Sequence, residues 1–109
     1  MGLNYSIYLD SCGAIYLVEE HPVYATHIEQ MLATSDGATL CHSPLVELES
    51  LVLPLRQRQD ALIRKFHRFF LASKRLSMTD DVFALATELR ARHGLKTPDA
   101  LHLAAAIHH

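Results

Sequence analysis

The sequence predicts an α/β fold in which helices cover a short parallel sheet. Two short β-rich runs, at residues 5–9 and 39–42, alternate with longer segments whose apolar residues recur at helical spacing. A third short strand is predicted at residues 76–78, and a helical segment follows it. Strands that alternate with helices form parallel units joined by right-handed crossovers, so the helices should cover the sheet.

The first helices are predicted from apolar spacing and from residues that begin or end helices. Residues 23–35 form the first of them, and Gly37 closes it. Its apolar side consists of Tyr24, Ile28, Met31 and Leu32. A second helix begins at Ser43-Pro44, where Ser is the N-cap and Pro occupies the first helical position.

The later helices carry similar signals. Residues 56–73 form a longer helix, whose apolar spacing comes from Leu62, Phe66, Phe69 and Phe70. Thr79 caps the next helix, which ends at His93-Gly94. The apolar stripe of that helix consists of Val82, Leu85, Ala86 and Leu89. The last helix begins at Thr97-Pro98-Asp99 and continues to the end of the chain.

Length and composition are those of one ordinary globular domain, which we expect to occupy residues 1–109. Half of the residues are apolar, which is enough to offset the entropy of an ordered chain. The net charge of −2 carries no overall sign of nucleic-acid binding. No signal peptide and no apolar run of transmembrane length is visible, so we expect a soluble cytoplasmic protein without a membrane partner.

Charge and cysteine placement add two local observations. Residues 56–75 contain seven basic residues and one acid, Asp60. Such a run indicates either a solvated helix face or a surface that contacts phosphate or a partner, and the sequence leaves both open. Cys12 and Cys41 lack the spacing of a zinc site, and we expect two buried, reduced thiols.

Three acidic residues stand where chemistry is expected. Asp10 directly follows the first predicted strand, and sites in parallel sheets form beyond the carboxyl ends of strands. Taken alone, Asp10 is better explained as a turn residue, because Asp bonds its own backbone two residues on. Asp99 falls in the first turn of the last helix, where the macrodipole also favours a negative charge. His102 lies one turn later, and a histidine there is more often a hydrogen-bonded helix residue than a ligand.

Glu49 is the most informative of the three acids. A core-facing stripe is predicted from the spacing of Leu45, Leu48, Glu49 and Val52. Glu49 then borders the apolar face, whereas Glu47 should point to solvent. A carboxylate turned toward a core must be paired, hydrogen-bonded or bound to a metal ion. A salt bridge to an arginine or lysine is the structural alternative.

If the three carboxylates converge, a divalent cation would relieve their repulsion. Oxygen ligands favour Mg²⁺ or Mn²⁺ over zinc. Such an ion polarises a phosphoryl oxygen and activates a bound water, which is the chemistry of phosphodiester hydrolysis. Sequence spacing alone does not establish that the three side chains meet.

Three motifs resemble those of PIN domains of the VapC toxin type. Residues 8–12, followed by residues 15–19, are similar to the opening of these domains. Residues 43–49 resemble their second motif, in which the active-site glutamate follows the serine by six positions and therefore corresponds to Glu49. Residues 96–106 resemble the third motif, which contains Asp99. The motifs occur in the expected order along nearly the whole chain.

This resemblance implies a three-layer α/β/α domain and a ribonuclease that depends on Mg²⁺ or Mn²⁺. Asp10 and Asp99 would bind the metal directly, Glu49 would act directly or through water, and Ser11 would orient Asp10. It also implies a homodimer and a cognate antitoxin that inserts a C-terminal segment into the active-site groove. The RNA target and the RNA-binding residues are not indicated.

The sequence departs from the family's pattern at the C-terminus. Family members usually continue beyond the last helix with another strand and a fourth acidic residue, so we expect a domain that lacks its C-terminal strands and whose first strand has an unpaired edge. An alternative function is therefore a PIN-like module that binds an antitoxin or itself without cleaving RNA. A phosphorylated receiver-like domain is a weaker alternative, because it leaves Glu49 without a role.

Overall fold

A computed structural model describes residues 6–34 and 38–109 of the chain. The elements, in chain order, are β1 (Ser6–Tyr8), α1 (Ser11–Val18), α2 (Tyr24–Thr34), β2 (Thr39–His42), α3 (Pro44–Arg56), α4 (Asp60–Ala72), β3 (Lys74–Arg75), α5 (Asp80–His93) and α6 (Thr97–His108). The predicted α/β fold is confirmed. Tyr5, Ser35 and Gly37, which the sequence placed in a strand, a helix and a helix end, lie outside the described residues.

The three strands form one parallel sheet in the order β1-β2-β3. Their carboxyl ends therefore lie at one edge of the sheet. The third strand comprises residues 74–75, so the predicted position at residues 76–78 was wrong. Leu76 nevertheless donates its backbone N–H to the His42 carbonyl over 2.8 Å, because β2 ends there and offers its last acceptor. In the described part of the chain, β1 pairs with β2 alone.

Helices pack on both faces of the sheet. Tyr8 packs against the core between α5 and α6, and its register partner in β2 is Cys41. Successive side chains of a strand point to opposite faces, so His42 points to the other side. There its ring stacks on Phe70 of α4, with the two centroids 5.0 Å apart. The arrangement is thus a helix layer, a sheet and a second helix layer.

Helix α1 occupies a segment that the sequence analysis interpreted only as a turn after Asp10. The Asp10 side chain caps this helix by accepting the Gly13 N–H over 2.9 Å. An Asp at this position satisfies a donor that the first helical turn would leave unpaired. Gly13 also allows close packing, because a Cβ there would lie 3.1 Å from Cδ2 of buried Leu9.

The predicted apolar stripe of α3 was wrong. Leu48 is 61% exposed and Val52 is 45% exposed. The buried residues of the helix are Val46, Ser50 and Pro54, which follow one another at four-residue intervals. Helix α3 packs against α1 and α4, and these two neighbours determine which side of α3 is covered.

The predicted apolar faces of α4 and α5 agree better with the structure. Phe66 of α4 and Val82 of α5 are fully buried, and Gly94 ends α5 in the left-handed conformation with φ 65°. In α2 the buried residue is Ala25, whereas Tyr24 and Met31 of the predicted apolar side are exposed. Within residues 6–34 and 38–109, no helix is both long enough and apolar enough to cross a bilayer.

Candidate active site

Asp10 and Asp99 line the same open cavity at the carboxyl end of β1. The cavity has a volume of about 430 Å³. Asp10 reaches it because it directly follows the first strand and leads into α1, and Asp99 reaches it from the first turn of α6. Tyr8 and His102 form part of the same wall. Two acids that are far apart in sequence therefore share one solvent-accessible space.

The charges of these two acids are not neutralised by neighbouring bases. Both residues are exposed, and across the described ranges neither carboxylate forms an ion pair with a lysine, arginine or histidine. The Asp10 carboxylate accepts the Gly13 N–H, which fixes its position. The cavity therefore presents two negative charges that a cation could neutralise. The Asp10 carboxylate is fixed by the Gly13 N–H, and the Asp99 carboxylate lies in the first turn of α6.

Glu49 is held by two hydrogen bonds to the same carboxylate oxygen. Ser11 Oγ donates to Glu49 Oε1 over 3.0 Å, and His102 Nε2 lies 2.7 Å from that oxygen. Glu49 is partly buried on α3, whereas His102 is 8% exposed. Among the described residues, Glu49 is paired with a histidine and not with an arginine or lysine, so the salt bridge considered as the structural alternative is not observed.

Tyr8 continues this network toward the start of α3. Its hydroxyl lies 2.6 Å from His102 Nδ1 and 2.8 Å from Ser43 Oγ. The pKa of Tyr8 is raised to about 12, first by burial and also by the charges of Asp10 and Glu49, while the Ser43 hydrogen bond acts in the opposite direction. Both carboxylates therefore act on the same phenol, which places Asp10 and Glu49 in one electrostatic environment.

The three predicted acids are brought into one region but do not form a ready chelate. No set of three or more His, Cys, Asp or Glu side chains among the described residues is placed to hold a metal ion together. Asp10 and Asp99 do suit a hard cation such as Mg²⁺, which commonly keeps several waters and binds one or two protein carboxylates. The donor set therefore fits a divalent cation held by these two residues.

The structure also assigns different partners to two serines. Ser11, which the family resemblance placed beside Asp10, donates its hydroxyl to Glu49 instead. Ser43 is the N-cap residue of α3, as predicted, but its side chain makes no capping hydrogen bond and contacts Tyr8. Both hydroxyls thus belong to the network around His102 and Glu49.

Tyr8 and His102 are the site residues that the sequence analysis missed. The two residues are 94 positions apart in the chain, and no motif links a strand tyrosine to a helix histidine at that distance. The only available signal was that His102 follows Asp99 by one helical turn and shares its face. His102 is the hydrogen-bonded helix residue expected from the sequence, with hydrogen bonds at both ring nitrogens.

A second polar cluster lies on the other face of the sheet. Glu47, which was predicted to point to solvent, has its Oε2 atom 2.8 Å from both His42 Nε2 and Arg75 Nε. The other ring nitrogen of His42 contacts Ser73 Oγ. Burial alone would raise the pKa of Glu47, but the His42 and Arg75 contacts outweigh it and hold that pKa below its usual value.

His42 and Ser73 of this cluster are buried, whereas Glu47 and Arg75 line an open cavity of about 490 Å³. The role of the cluster is to join β2, α3 and β3. The basic stretch is exposed along its whole length, at Arg56, Arg58, Arg64, Lys65, Arg68, Lys74 and Arg75. Arg75 is the member of this set that pairs with Glu47.

The cysteines differ from each other in exposure. Cys41 is buried in β2, as expected, but Cys12 is exposed in the first turn of α1. The prediction of two buried thiols was therefore wrong for Cys12.

A three-layer α/β domain with acidic residues at the carboxyl end of its parallel sheet is the class of protein defined by this fold and site. The family model of the PIN domain matches residues 7–109, and the chain belongs to the PIN domain family. The recognition of this family from three motifs is thereby confirmed. Members of the family are in general nucleases that use a divalent metal ion.

A solved structure supports the same fold. The chain resembles a chain of the VapBC2 crystal structure from Rickettsia felis, which was determined bound to a DNA fragment from their promoter. The TM-score is 0.74 and the sequence identity is 20%, and the match covers 96% of this chain and 80% of the other. A search of curated protein sequences found no significant match.

Proposed function

We propose that this protein is a VapC-type toxin, an endoribonuclease that hydrolyses RNA phosphodiester bonds with Mg²⁺ or Mn²⁺. The observation that carries the proposal is that Asp10 and Asp99 line one open cavity without a neutralising base in the described residues. Membership of the PIN family supports nuclease chemistry at such a site.

The proposed roles follow from the contacts of each residue. Asp10 and Asp99 would hold the cation, and the Gly13 N–H keeps the Asp10 carboxylate in place. A divalent ion bound there would polarise a phosphoryl oxygen and lower the pKa of a water molecule. Glu49, held by Ser11 and His102, would act on the ion directly or through water. The cavity is open, as access for a polymer requires.

The decisive experiment compares Mn²⁺ binding and RNA cleavage in wild type, Asp10→Asn and Asp99→Asn. Asn keeps the shape of Asp and remains a good N-cap acceptor, so the first variant should keep helix α1. Asp81→Asn is a matched control, because Asp81 also lies exposed in the first turn of a helix. We expect both test variants to lose cleavage and bind Mn²⁺ at least about tenfold more weakly, while the control resembles wild type.

Cleavage that persists in a purified Asp10→Asn, Asp99→Asn double variant would refute the assigned site. Calorimetry should include the wild type without RNA, since binding of Mn²⁺ does not require turnover. A wild type that binds no Mn²⁺ would also refute the proposal of a metal-dependent nuclease.

The same proposal includes a cytoplasmic location, a homodimer and a cognate antitoxin protein. The fold similarity to a VapBC2 complex supports the antitoxin, because that assembly contains both partners. Copurification of the chain with the product of a neighbouring small gene, followed by light scattering of the chain alone, tests the partner and the dimer separately. A monomer that copurifies with no such product would contradict both expectations.

A second candidate function is a PIN-like module that binds an antitoxin or itself without cleaving RNA. The absence of a preformed three-residue metal group among the described residues favours it. The Mn²⁺ titration separates the two candidates. A stable antitoxin complex formed by a chain that binds no Mn²⁺ would support the interaction module.

A further inference from the structure

We infer that His102 is a positioning residue that, together with Tyr8, fixes the Glu49 carboxylate through Oε1 and leaves its Oε2 atom facing solvent. The inference rests on the proposed ribonuclease function and adds residues to its site. It is carried by four side-chain hydrogen bonds that connect Ser43, Tyr8, His102, Glu49 and Ser11 in one chain.

The direction of these hydrogen bonds follows from the acceptor at one end. An ionised carboxylate only accepts, so His102 must donate from Nε2 to Glu49. A neutral ring that is protonated at Nε2 accepts at Nδ1, and the Tyr8 hydroxyl is the donor there. The Tyr8 oxygen can then accept the Ser43 hydroxyl proton. Each of these hydrogen bonds is thus donated in the direction of Glu49.

The state of Tyr8 is consistent with this direction. The Tyr8 hydroxyl lies between Ser43 Oγ and His102 Nδ1, and a phenol can donate to the ring nitrogen while it accepts from the serine. Tyr8 therefore selects the ring form in which His102 donates to Glu49.

The Ser43 side chain hydrogen-bonds to Tyr8 and not to the backbone of its own helix. Ser43 is the N-cap residue of α3, and a serine there usually accepts a backbone N–H of the first turn. The Ser43 side chain makes no such bond, although it is completely buried, whereas the Thr79 side chain does cap α5. A capping hydrogen bond typically stabilises a helix. Because Ser43 lacks this bond and contacts Tyr8, its orientation is determined by the tertiary contact and not by its own helix.

Both hydrogen bonds to Glu49 arrive at Oε1. Within the described residues, no protein group donates to Oε2. Among the described residues, the side-chain atom that is both buried and without a hydrogen-bond partner is Ser50 Oγ. Glu49 Oε2 has no such partner either, so it is not a buried atom. Oε2 therefore reaches solvent. The result is a carboxylate whose orientation is fixed from one side and whose second oxygen is available to water or to a cation.

His102 connects this carboxylate to the cavity. It lines the same cavity as Asp10 and Asp99, and its Nε2 atom lies 2.7 Å from Oε1 of Glu49, which is not itself a lining residue. A residue that holds another group in this manner changes the efficiency of a site without contacting the substrate itself. Loss of such supporting contacts typically lowers metal affinity or activity by about 10- to 100-fold.

The test compares His102→Leu with His102→Gln. Leu removes both hydrogen bonds, whereas Gln retains an amide donor for Glu49 and an oxygen that can accept from Tyr8. We expect His102→Leu to lower kcat by about 10- to 100-fold with little change in KM for RNA, and His102→Gln to recover most of the loss. His67→Leu, an exposed helix position, is the control and should match wild type.

Two readouts do not depend on turnover. The Mn²⁺ dissociation constant should rise about tenfold in His102→Leu and return toward wild type in His102→Gln. Nitrogen NMR of the imidazole should show a proton on Nε2 and none on Nδ1 of His102, and Tyr8→Phe should weaken that preference. Thermal melting of every variant shows whether a loss of activity is only a loss of folded protein.

The outcomes separate this inference from the proposed function. Active wild type together with an equally active, folded His102→Leu variant would overturn the positioning role alone. A ring protonated at Nδ1 would overturn the hydrogen-bond direction, whatever the activity. Wild type that neither binds Mn²⁺ nor cleaves RNA would remove the proposed function, and the role of His102 in it.

Discussion

The Tyr8 hydroxyl lies 2.6 Å from His102 Nδ1, although the two residues are 94 positions apart in the chain. The contact joins the end of the first strand to the last helix. Tyr8 also packs against the core between α5 and α6, so the polar contact and the apolar packing hold the same two parts of the molecule together. The acidic cavity is formed across this junction.

The first prediction concerns the ionisation of Tyr8. Burial raises its pKa from 10.0 to about 12, so the folded protein holds the phenolic proton more tightly than the unfolded chain. Stability contributed by Tyr8 should be complete below pH 10 and should be lost as the pH rises from 10 toward 12. Tyr8→Phe should remove this decline. It should also remove the phenolate absorbance change that occurs at the highest pH. Tyr24→Phe, which changes an exposed tyrosine, is the control.

The second prediction concerns Glu47. Its contacts with His42 and Arg75 hold its pKa below the usual value despite burial, so the folded state favours the carboxylate. The resulting stability is present above pH 4.5 and should be lost as the pH falls through the lowered pKa. Glu47→Gln should be less stable at neutral pH, by about 1–3 kcal/mol, and less sensitive to acid.

Urea unfolding of wild type and Glu47→Gln between neutral and acidic pH measures this effect. Glu88→Gln, at an exposed position of α5, is the matched control and should change stability by less than about 0.5 kcal/mol. Parallel pH profiles for wild type and Glu47→Gln would contradict the prediction.

The third prediction tests which side of α3 is buried. Val46 is fully buried and Val52 is 45% exposed, so the same truncation on one helix should have different effects. We expect Val46→Ala to lower the free energy of unfolding by about 1–3 kcal/mol, because it removes buried methyl groups and leaves a cavity. Val52→Ala should change it by less than about 0.5 kcal/mol. The reverse order would favour the face predicted from apolar spacing.

The fourth prediction concerns thiol accessibility. Cys12 is exposed and Cys41 is buried, so a thiol reagent should modify one cysteine of the folded protein quickly and the second only on unfolding. Cys12→Ser should abolish the fast phase, while Cys41→Ala should retain it. Two slow thiols in the folded wild type would contradict the exposure of Cys12 and support the expectation from the sequence.

Much of the local structure could be predicted from the sequence, because local signals have local causes. Thr79 and Gly94 mark the two ends of α5, where a side-chain acceptor and a left-handed residue satisfy backbone groups. The alternation of strands and helices indicated a parallel sheet, and three motifs were sufficient to recognise the PIN family. The positions of Asp10 and Asp99 at element boundaries also pointed to a shared site.

Only the tertiary structure decided which surfaces meet. The apolar spacing of α3 was compatible with several faces, and packing against α1 and α4 buried Val46 instead of Leu48. Glu47 of helix α3 was turned inward by His42 and Arg75, which lie in strands β2 and β3. The network of Tyr8, His102 and Glu49 depends on contacts 94 and 53 positions apart, and a carboxylate finds such partners only after the helices have packed on the sheet.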